Sequence, residues 1–163
     1  MVRVVVLSDT HIRRGSSRRL PDRAYDELLR ADLVLHAGDV VERDLLDELE
    51  GFAPVRAVLG NNDLALVGVL PDQRLVDVEG VQVGVVHDAG PSAGRAARLR
   101  RRFPTADVVV FGHSHQPVVA PGLGGQLLVN PGSPTERRRA PTHTLAVLEV
   151  DGGRLVAADL VEL

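Results

Sequence analysis

Short apolar runs that end abruptly in polar clusters constrain the fold of this chain most strongly. Val2–Leu7 consists almost entirely of valine and leucine, a composition typical of a strand buried on both faces, and it stops at Ser8. Four further runs end in the same manner, and the five clusters read, in chain order, SDTH, HAGD, GNND, VVHD and GHSH. Because ligands bind at the carboxyl ends of strands in open α/β sheets, we expect the clusters to meet at one site.

The order of apolar and helical patterns predicts an α/β protein with two sheets and flanking helices. The first part of the chain alternates strand and helix, which implies parallel strands; the predicted elements are Val2–Leu7, 21–31, 32–39, 42–50 and 54–60. Beyond Gln73 we predict an antiparallel hairpin at Glu79 and Gly80, followed by a helix at 91–103, strands at 107–111 and 126–129, and a hairpin at 151–153. No repeat or linker interrupts the chain, so residues 1–163 are predicted to form a single domain.

Composition excludes several classes of function. The absence of cysteine excludes disulfides, thiolate metal sites and cysteine nucleophiles, and the absence of lysine excludes Schiff-base chemistry. A net charge of -3, with one tyrosine and three phenylalanines as the aromatic side chains, disfavours nucleic acid as a partner. No apolar run reaches the ~18 residues of a membrane span, and the first is too short for a signal peptide, so we predict a cytoplasmic protein without a membrane partner.

Seven side chains in the clusters are candidate metal ligands: Asp9, His11, Asp39, Asn61, His87, His113 and His115. Two pairs, Asp9 with His11 and His113 with His115, have a spacing that puts both side chains on one side of an extended chain. Glycine precedes three of the seven, where close backbone approach or a positive φ lets a strand turn towards a shared centre. Imidazole and carboxylate ligands suit Mn, Fe, Zn, Co or Ni, and seven ligands are too many for one tetrahedral ion, which predicts two ions.

Individual residues also have purely structural interpretations. His36 lies just inside the end of the second strand and is predicted to be a core histidine, and His143 is predicted to be structural. Asp63 either caps the turn after Asn62 or supports the ligands from outside. Any one cluster alone is typical of a turn, but five in order at strand ends favour a common site.

Taken together, SDTH, HAGD, GNND, VVH and GHSH resemble the five ordered motifs of the calcineurin-like metallophosphoesterase superfamily. The resemblance continues to residues 130–139, NPGSPTERRR, which are similar to the loop that closes the site in the short YfcE-type phosphodiesterases. It implies the metallo-dependent phosphatase fold, a four-layer αββα sandwich of two mixed sheets flanked by helices.

The resemblance also implies a distribution of the ligands between two divalent ions. The first ion would be held by Asp9, His11, Asp39 and His115, and the second by Asp39, Asn61, His87 and His113, with Asp39 bridging. Mn²⁺ is the expected metal, with Fe, Zn, Ni and Co as alternatives. The implied reaction is hydrolysis of a small-molecule phosphoester, most of all a phosphodiester, by in-line attack of a metal-bridging hydroxide.

Two departures from the family pattern affect the expected chemistry. Many relatives carry a histidine after the ligand asparagine to protonate the leaving group, whereas this chain has Asn62, which can contact phosphate but cannot deliver a proton. Asp88 follows His87 where relatives commonly have glycine, and it is either an additional ligand, an orienting residue or a turn residue. Arg137 in the closing loop is a candidate phosphate contact.

Competing functions remain open from the sequence. The same fold is similar to that of a retromer scaffold subunit, so a protein-binding module with little or no catalysis is the main alternative. The third candidate function is that of a nuclease, and only the arginine clusters at 98–102 and 137–139 support it. Homo-oligomerisation is compatible with all three.

Overall fold

Ten strands and three helices follow one another along residues 1–163, all of which the computed structural model describes. The strands are β1 (Val2–Leu7), β2 (Leu33–His36), β3 (Val55–Ala57), β4 (Gln73–Val78), β5 (Val81–Val86), β6 (Val108–Val110), β7 (Val118–Pro121), β8 (Leu127–Asn130), β9 (Thr144–Asp151) and β10 (Arg154–Glu162). The helices are α1 (Asp22–Leu28), α2 (Arg43–Glu50) and α3 (Arg95–Arg102), and a 3₁₀ turn covers Leu64–Leu66.

The strands form two mixed five-stranded sheets. The order in the first sheet is β10-β9-β1-β2-β3, and in the second it is β4-β5-β6-β8-β7. In the first sheet β1, β2 and β3 are parallel, and in the second β5, β6 and β8 are parallel. Each sheet therefore has three parallel strands whose carboxyl ends lie along one edge.

Buried side chains divide the molecule into four layers. Val4 and Val6 of β1 belong to a cluster of 16 buried residues between the two sheets. Val5 and Leu7 belong to a second cluster of 15 that joins the first sheet to α1 and α2. A third cluster of eight, including Leu99, packs α3 on the second sheet. These layers form the predicted αββα sandwich. Strand β1 carries apolar residues on both faces because both faces are covered. Each buried valine contributes ~1.5–3 kcal/mol to the stability of the fold.

The predicted elements differ from the structure mainly at their ends. The third helix begins at Arg95 rather than at residue 91, because Gly94 has φ 71, in the left-handed region that a right-handed helix excludes. The short strand β7 was not predicted, and prolines at 117 and 121 mask its pattern. The hairpin turn lies at Glu79 and Gly80 as predicted, with Val78 paired to Val81. No helix is long and apolar enough to cross a bilayer.

Candidate metal centre

Every predicted ligand follows the carboxyl end of a parallel strand. The first sheet supplies Asp9 and His11 after β1, Asp39 after β2 and Asn61 after β3; the second supplies His87 after β5, and His113 and His115 after β6. Backbone bonds continue the strand pairing into these loops, for example from His11 N to Asp39 O at 3.0 Å and from Gly112 N to His87 O at 2.9 Å. The two sheets thus present ligands to a common locus.

The backbone at the ligands is unusual. Five of the seven have a positive φ, between 46° and 70°: Asp9, His11, Asp39, His113 and His115. For residues other than glycine this region is sparsely populated and costs of order 1–3 kcal/mol each at strained sites. The sharp turns that the sequence suggested are therefore made largely by the ligands themselves.

Glycines permit the close approach of neighbouring loops. A Cβ added to Gly112 would overlap Ser8 Oγ, and one added to Gly38 would lie 2.7 Å from His87 Nδ1. Gly38 also has φ 92. Side chains at these positions would push the strand ends apart.

A first cluster comprises Asp9, His11 and His115. Asp9 Oδ1 lies 3.4 Å from His115 Nε2 and 3.9 Å from His11 Nε2. The other oxygen, Oδ2, is occupied by Ser8 Oγ at 2.7 Å and His113 N at 2.9 Å. Asp9 Oδ1 and both Nε2 atoms are buried and lack hydrogen-bond partners. Three buried acceptor-capable atoms that face one another fit a divalent cation, which they would hold with oxygen and nitrogen donors.

A second cluster comprises Asp9, Asp39 and His87, with Asn61 and His113 beside it. His87 Nε2 lies 3.5 Å from Asp39 Oδ2 and 2.9 Å from Asn61 Oδ1, and Asn61 Oδ1 lies 3.1 Å from His113 Nδ1. Within each cluster the ligand atoms of the acidic and histidine residues lie within 4.8 Å of one another.

Two carboxylates lie between the clusters. Asp39 Oδ2 is 3.5 Å from both His11 Nε2 and His87 Nε2, the position expected of a bridging ligand. Asp9 Oδ1 is also near both, at 3.9 Å from His11 Nε2 and 4.0 Å from His87 Nε2. The geometry thus places two carboxylates between the two clusters.

Backbone carbonyls orient two of the imidazoles. His87 Nδ1 lies 2.7 Å from Ala37 O, and His115 Nδ1 is hydrogen-bonded to Glu136 O. A carbonyl only accepts, so each Nδ1 carries the proton and each Nε2 presents its lone pair to the centre when the ring is neutral. The sequence gives no sign of these partners, because every residue has a carbonyl.

The pKa values at the centre are shifted because carboxylates and imidazoles lie close together there. Burial raises the pKa of Asp9 and Asp39, but the neighbouring imidazoles of His115 and His87 outweigh it and keep both pKa values below normal. Burial lowers the pKa of His87 and His115, yet the neighbouring carboxylates of Asp39 and Asp9 leave both pKa values raised. For His11 burial prevails and its pKa is lowered. The anionic carboxylates favour a cation at the centre.

Asp63 supports the loop that carries Asp39. Its carboxylate is 1% exposed and accepts three backbone N–H groups, from Asp39 and Val41 after β2 and from Gly60 after β3. Of the two roles considered from the sequence, this geometry matches support of the ligands from outside.

The loop at 130–136 closes the site from the second sheet. Ser133 Oγ donates to Asp9 O at 2.8 Å and accepts from Glu136 N at 2.8 Å, while Thr135 Oγ1 donates to Thr10 O at 2.6 Å. Asn130 Nδ2 donates to Gly112 O at 3.2 Å. Ser133 was not among the predicted site residues, although its place after a proline-glycine turn was a usable signal.

The remaining predicted residues, Asn62, Arg137 and Asp88, differ in their contacts. Asn62 donates twice to Asp39, from its backbone N to Oδ1 and from Nδ2 to Oδ2, both at 2.8 Å. Arg137 Nη1 donates to Ala140 O at 2.7 Å, within its own loop. Exposed Asp88 accepts from Gly90 N at 2.7 Å, as a turn residue does.

The two histidines left outside the ligand set are placed differently. His36 is fully buried, and its Nε2 lies 3.0 Å from Thr10 Oγ1. Burial lowers its pKa to about 4. His143 precedes β9, and its carbonyl accepts from Leu163 N at 2.9 Å.

A four-layer αββα sandwich that gathers carboxylates and imidazoles at the strand ends of both sheets defines the metallophosphoesterase class. Residues 2–153 match the family model described as the calcineurin-like phosphoesterase superfamily domain. The chain belongs to this superfamily, as the sequence motifs predicted, and the family implies divalent metal ions.

Similar proteins agree in sequence and in fold. A "probable metallophosphoesterase" of Methanothermobacter thermautotrophicus is 39% identical over 93% of this chain and 88% of its own length. The solution structure of a Thermotoga maritima protein is 32% identical, covers 100% of both chains and has a TM-score of 0.76. Wild-type Vps29 of Entamoeba histolytica, solved in complex with Zn²⁺, has a TM-score of 0.78 at 21% identity over 99% of this chain and 98% of its own, and it shows the fold alone.

Proposed function

We propose that this protein is a metal-dependent phosphodiesterase that hydrolyses a small-molecule phosphoester at the strand-end centre. The observation that carries the proposal is the pair of clusters, Asp9 with His11 and His115, and Asp9 with Asp39 and His87. Two adjoining clusters with shared carboxylates favour a pair of ions over one.

The proposed ligands are those expected from the sequence. Asp9, His11, Asp39 and His115 hold one ion, Asp39, Asn61, His87 and His113 hold the other, and Asp39 bridges. Oxygen and nitrogen donors without thiolate favour Mn²⁺, with Fe, Zn, Ni and Co as alternatives. When bound, such ions lower the pKa of water and offset the negative charge on phosphoryl oxygens.

The chain itself supplies orientation. Ala37 O and Glu136 O keep the Nε2 atoms of His87 and His115 directed at the centre, and Ser8 occupies the Asp9 oxygen that faces away from it. Ligands that are already fixed do not have to rearrange during the reaction. This preorganisation is the usual source of catalysis in such sites.

Asn62 and Arg137 are the proposed phosphate contacts. One amide hydrogen of exposed Asn62 is used on Asp39, which leaves the second for a phosphate oxygen. Exposed Arg137 spends one donor on Ala140 O and keeps four for an anion. Neither side chain is a proton donor at neutral pH, so the proposal favours substrates with good leaving groups.

The test combines metal analysis with a chromogenic phosphodiester. Purified protein is expected to bind close to two divalent ions and to hydrolyse bis(p-nitrophenyl) phosphate with Mn²⁺. Asp39→Asn should lose at least ~100-fold in activity, since it removes the bridging charge. Asparagine tolerates the left-handed backbone at this position, and Asp47→Asn on α2, an exposed residue, serves as control.

Two results would reject the proposal. One is wild-type protein that binds no divalent ion, and the other is full activity in Asp39→Asn. Protein that binds two ions but hydrolyses no phosphoester would favour the alternative of a binding module, for which the likeness to Vps29 is the supporting observation.

A further inference from the structure

A polar cavity adjoins the candidate centre on the side of the second sheet. Ser114, Gln116, Arg138 and Arg139 line a cavity of 490 Å³, and no apolar side chain contributes to its wall. Ser114 stands between His113 and His115 in the chain, so the cavity lies next to the proposed ligands. Hydrolysis of a simple diester requires no such space.

The two arginines of this cavity have no acidic partner. No carboxylate lies within ion-pair distance of Arg138 or Arg139, whereas Arg3, Arg14, Arg18, Arg19 and Arg43 each pair with at least one. Arg138 Nη1 contacts His113 O at 3.4 Å, a long bond that leaves its other donors free. Unpaired guanidinium groups in a concave site suit an anion, and their planar fork matches phosphate oxygens.

The backbone at Arg138 adopts a defined conformation. Arg138 has φ 49, a left-handed conformation that is costly for arginine. The adjoining residues fix it, because Ala140 is buried and its N–H donates to Arg137 O at 2.9 Å. From this backbone position the guanidinium of Arg138 reaches the carbonyl of His113.

A second cavity beside the centre has a different charge. It has a volume of 350 Å³, adjoins Asn61 and His87, and includes Asp72, Asp88 and Arg102 in its wall. Arg102 already donates to Gln73 Oε1 and to Asp88 O. Two carboxylates and one occupied arginine disfavour an anion there, so the two cavities differ in the ligands they suit.

We infer that the Arg138–Arg139 cavity binds a second phosphate group of the substrate, so that the preferred substrate is a phosphodiester bearing an additional phosphate monoester. The inference rests on the proposed function and specifies its substrate class. The scissile phosphate lies at the metal centre, and the additional phosphate contacts the two guanidinium groups. Substrates with an uncharged substituent lack these contacts and bind more weakly.

The kinetic test uses two substrates that differ by one group. These are the p-nitrophenyl esters of thymidine 5′-phosphate with a free 3′-hydroxyl and with a 3′-phosphate. Manganese-loaded wild-type protein is expected to show a kcat/KM about tenfold higher for the 3′-phosphorylated ester, the effect of one or two charge-assisted hydrogen bonds. The double variant Arg138→Gln/Arg139→Gln should reduce that ratio to near one.

The controls separate a local effect from general loss of positive charge. Arg101→Gln/Arg154→Gln removes two charges from exposed positions outside this cavity and should keep the tenfold ratio. Arg138→Lys/Arg139→Lys keeps the charge without the fork and should give an intermediate ratio. A wild-type ratio near one, or an unchanged ratio in the double glutamine variant, would overturn the inference.

A binding measurement keeps the inference testable if neither ester is hydrolysed, a result that would refute only the proposed function. Calorimetry compares thymidine 3′,5′-bisphosphate with thymidine 5′-phosphate on the manganese-loaded protein. The bisphosphate should bind about tenfold more tightly, and the double glutamine variant should abolish the difference. Equal affinities in the wild type would reject the cavity as a phosphate site.

Discussion

Asp9 shows how a single residue is prepared for its proposed role. Its Oδ2 atom accepts from Ser8 and from the backbone of His113, while Oδ1 is buried without a partner and faces three Nε2 atoms. One oxygen fixes the carboxylate and the other remains free for a cation. The same division of labour is seen in His87 and His115, where Nδ1 is tied to a carbonyl and Nε2 faces the centre.

Asn62 leads to a prediction about leaving groups. Without a proton donor there, hydrolysis should depend steeply on leaving-group pKa, and alkyl monoesters should be poor substrates. Asn62→His should raise kcat for alkyl leaving groups by at least ~10-fold and change the p-nitrophenyl ester little. The measurement is kcat across a series of esters with graded leaving groups. Efficient hydrolysis of simple alkyl monoesters by the wild type would contradict the prediction.

His36 leads to a prediction about acid stability. It is fully buried and its pKa is about 4, whereas an unfolded histidine titrates near ~6.5. Between these values the unfolded chain binds a proton that the folded protein does not, so stability falls as the pH drops from 6.5 towards 4. The loss is about 3 kcal/mol at most.

The measurement for His36 is urea unfolding of metal-free protein at several pH values. His36→Gln should flatten the acid limb of the curve relative to the wild type, since the variant lacks this proton. Other titrating groups contribute equally to both proteins. Parallel curves for the two proteins would show that His36 does not carry the dependence.

At the level of elements, the sequence predicted those features that neighbouring residues determine. The apolar run of β1 and the turn at Glu79 and Gly80 are specified by neighbouring residues, and both were predicted. The start of α3 was not, because a φ of 71 at Gly94 is imposed by the surrounding fold. Strand β7 is stabilised by its pairing with β8 and has little pattern of its own.

The residues of the candidate site were likewise predictable from the sequence only in part. Ligand candidates such as Asp39 and His113 could be predicted because a carboxylate or an imidazole at the end of a strand is a typical metal ligand. Supporting groups could not, since the carbonyls of Ala37 and Glu136 are indistinguishable in sequence from any others. Asp63 could be placed near the site, yet its three backbone contacts bring together loops that only the folded sheet makes adjacent.

The closing loop offers a test of this support. Ser133→Ala removes the bond to Asp9 O and the acceptor of Glu136 N, which frees the residue whose carbonyl orients His115. We expect affinity for Mn²⁺ to fall about tenfold, as is usual when an outer partner of a ligand is lost. Calorimetry on metal-free protein measures this, and Ser17→Ala, an exposed serine without a side-chain bond, should change nothing. Unchanged affinity in Ser133→Ala would argue against the role.

At the scale of the molecule, the centre joins the two sheets. The first sheet supplies four of the proposed ligands and the second supplies three, so bound ions cross-link the sandwich. Mn²⁺ at 100 times its Kd should add ~2.7 kcal/mol to the free energy of unfolding and raise Tm by about 5–10 °C. Calorimetric melting with and without chelator measures the shift. Asp39→Asn should lose most of the shift while Asp47→Asn keeps it, and a wild-type Tm indifferent to chelator would contradict the prediction.

The hydrogen bond from His113 N to Asp9 Oδ2 has a consequence for the protein's synthesis. It joins residues 104 positions apart, and the carbonyl that orients His115 belongs to Glu136, 21 residues beyond His115. A nascent chain that has emerged only as far as β5 contains four of the seven proposed ligands, and its Asp9 still lacks the contact with His113 N. The full set of proposed ligands and their orienting groups is complete only once Glu136 has been synthesised, so metal binding in the proposed geometry follows synthesis of most of the chain.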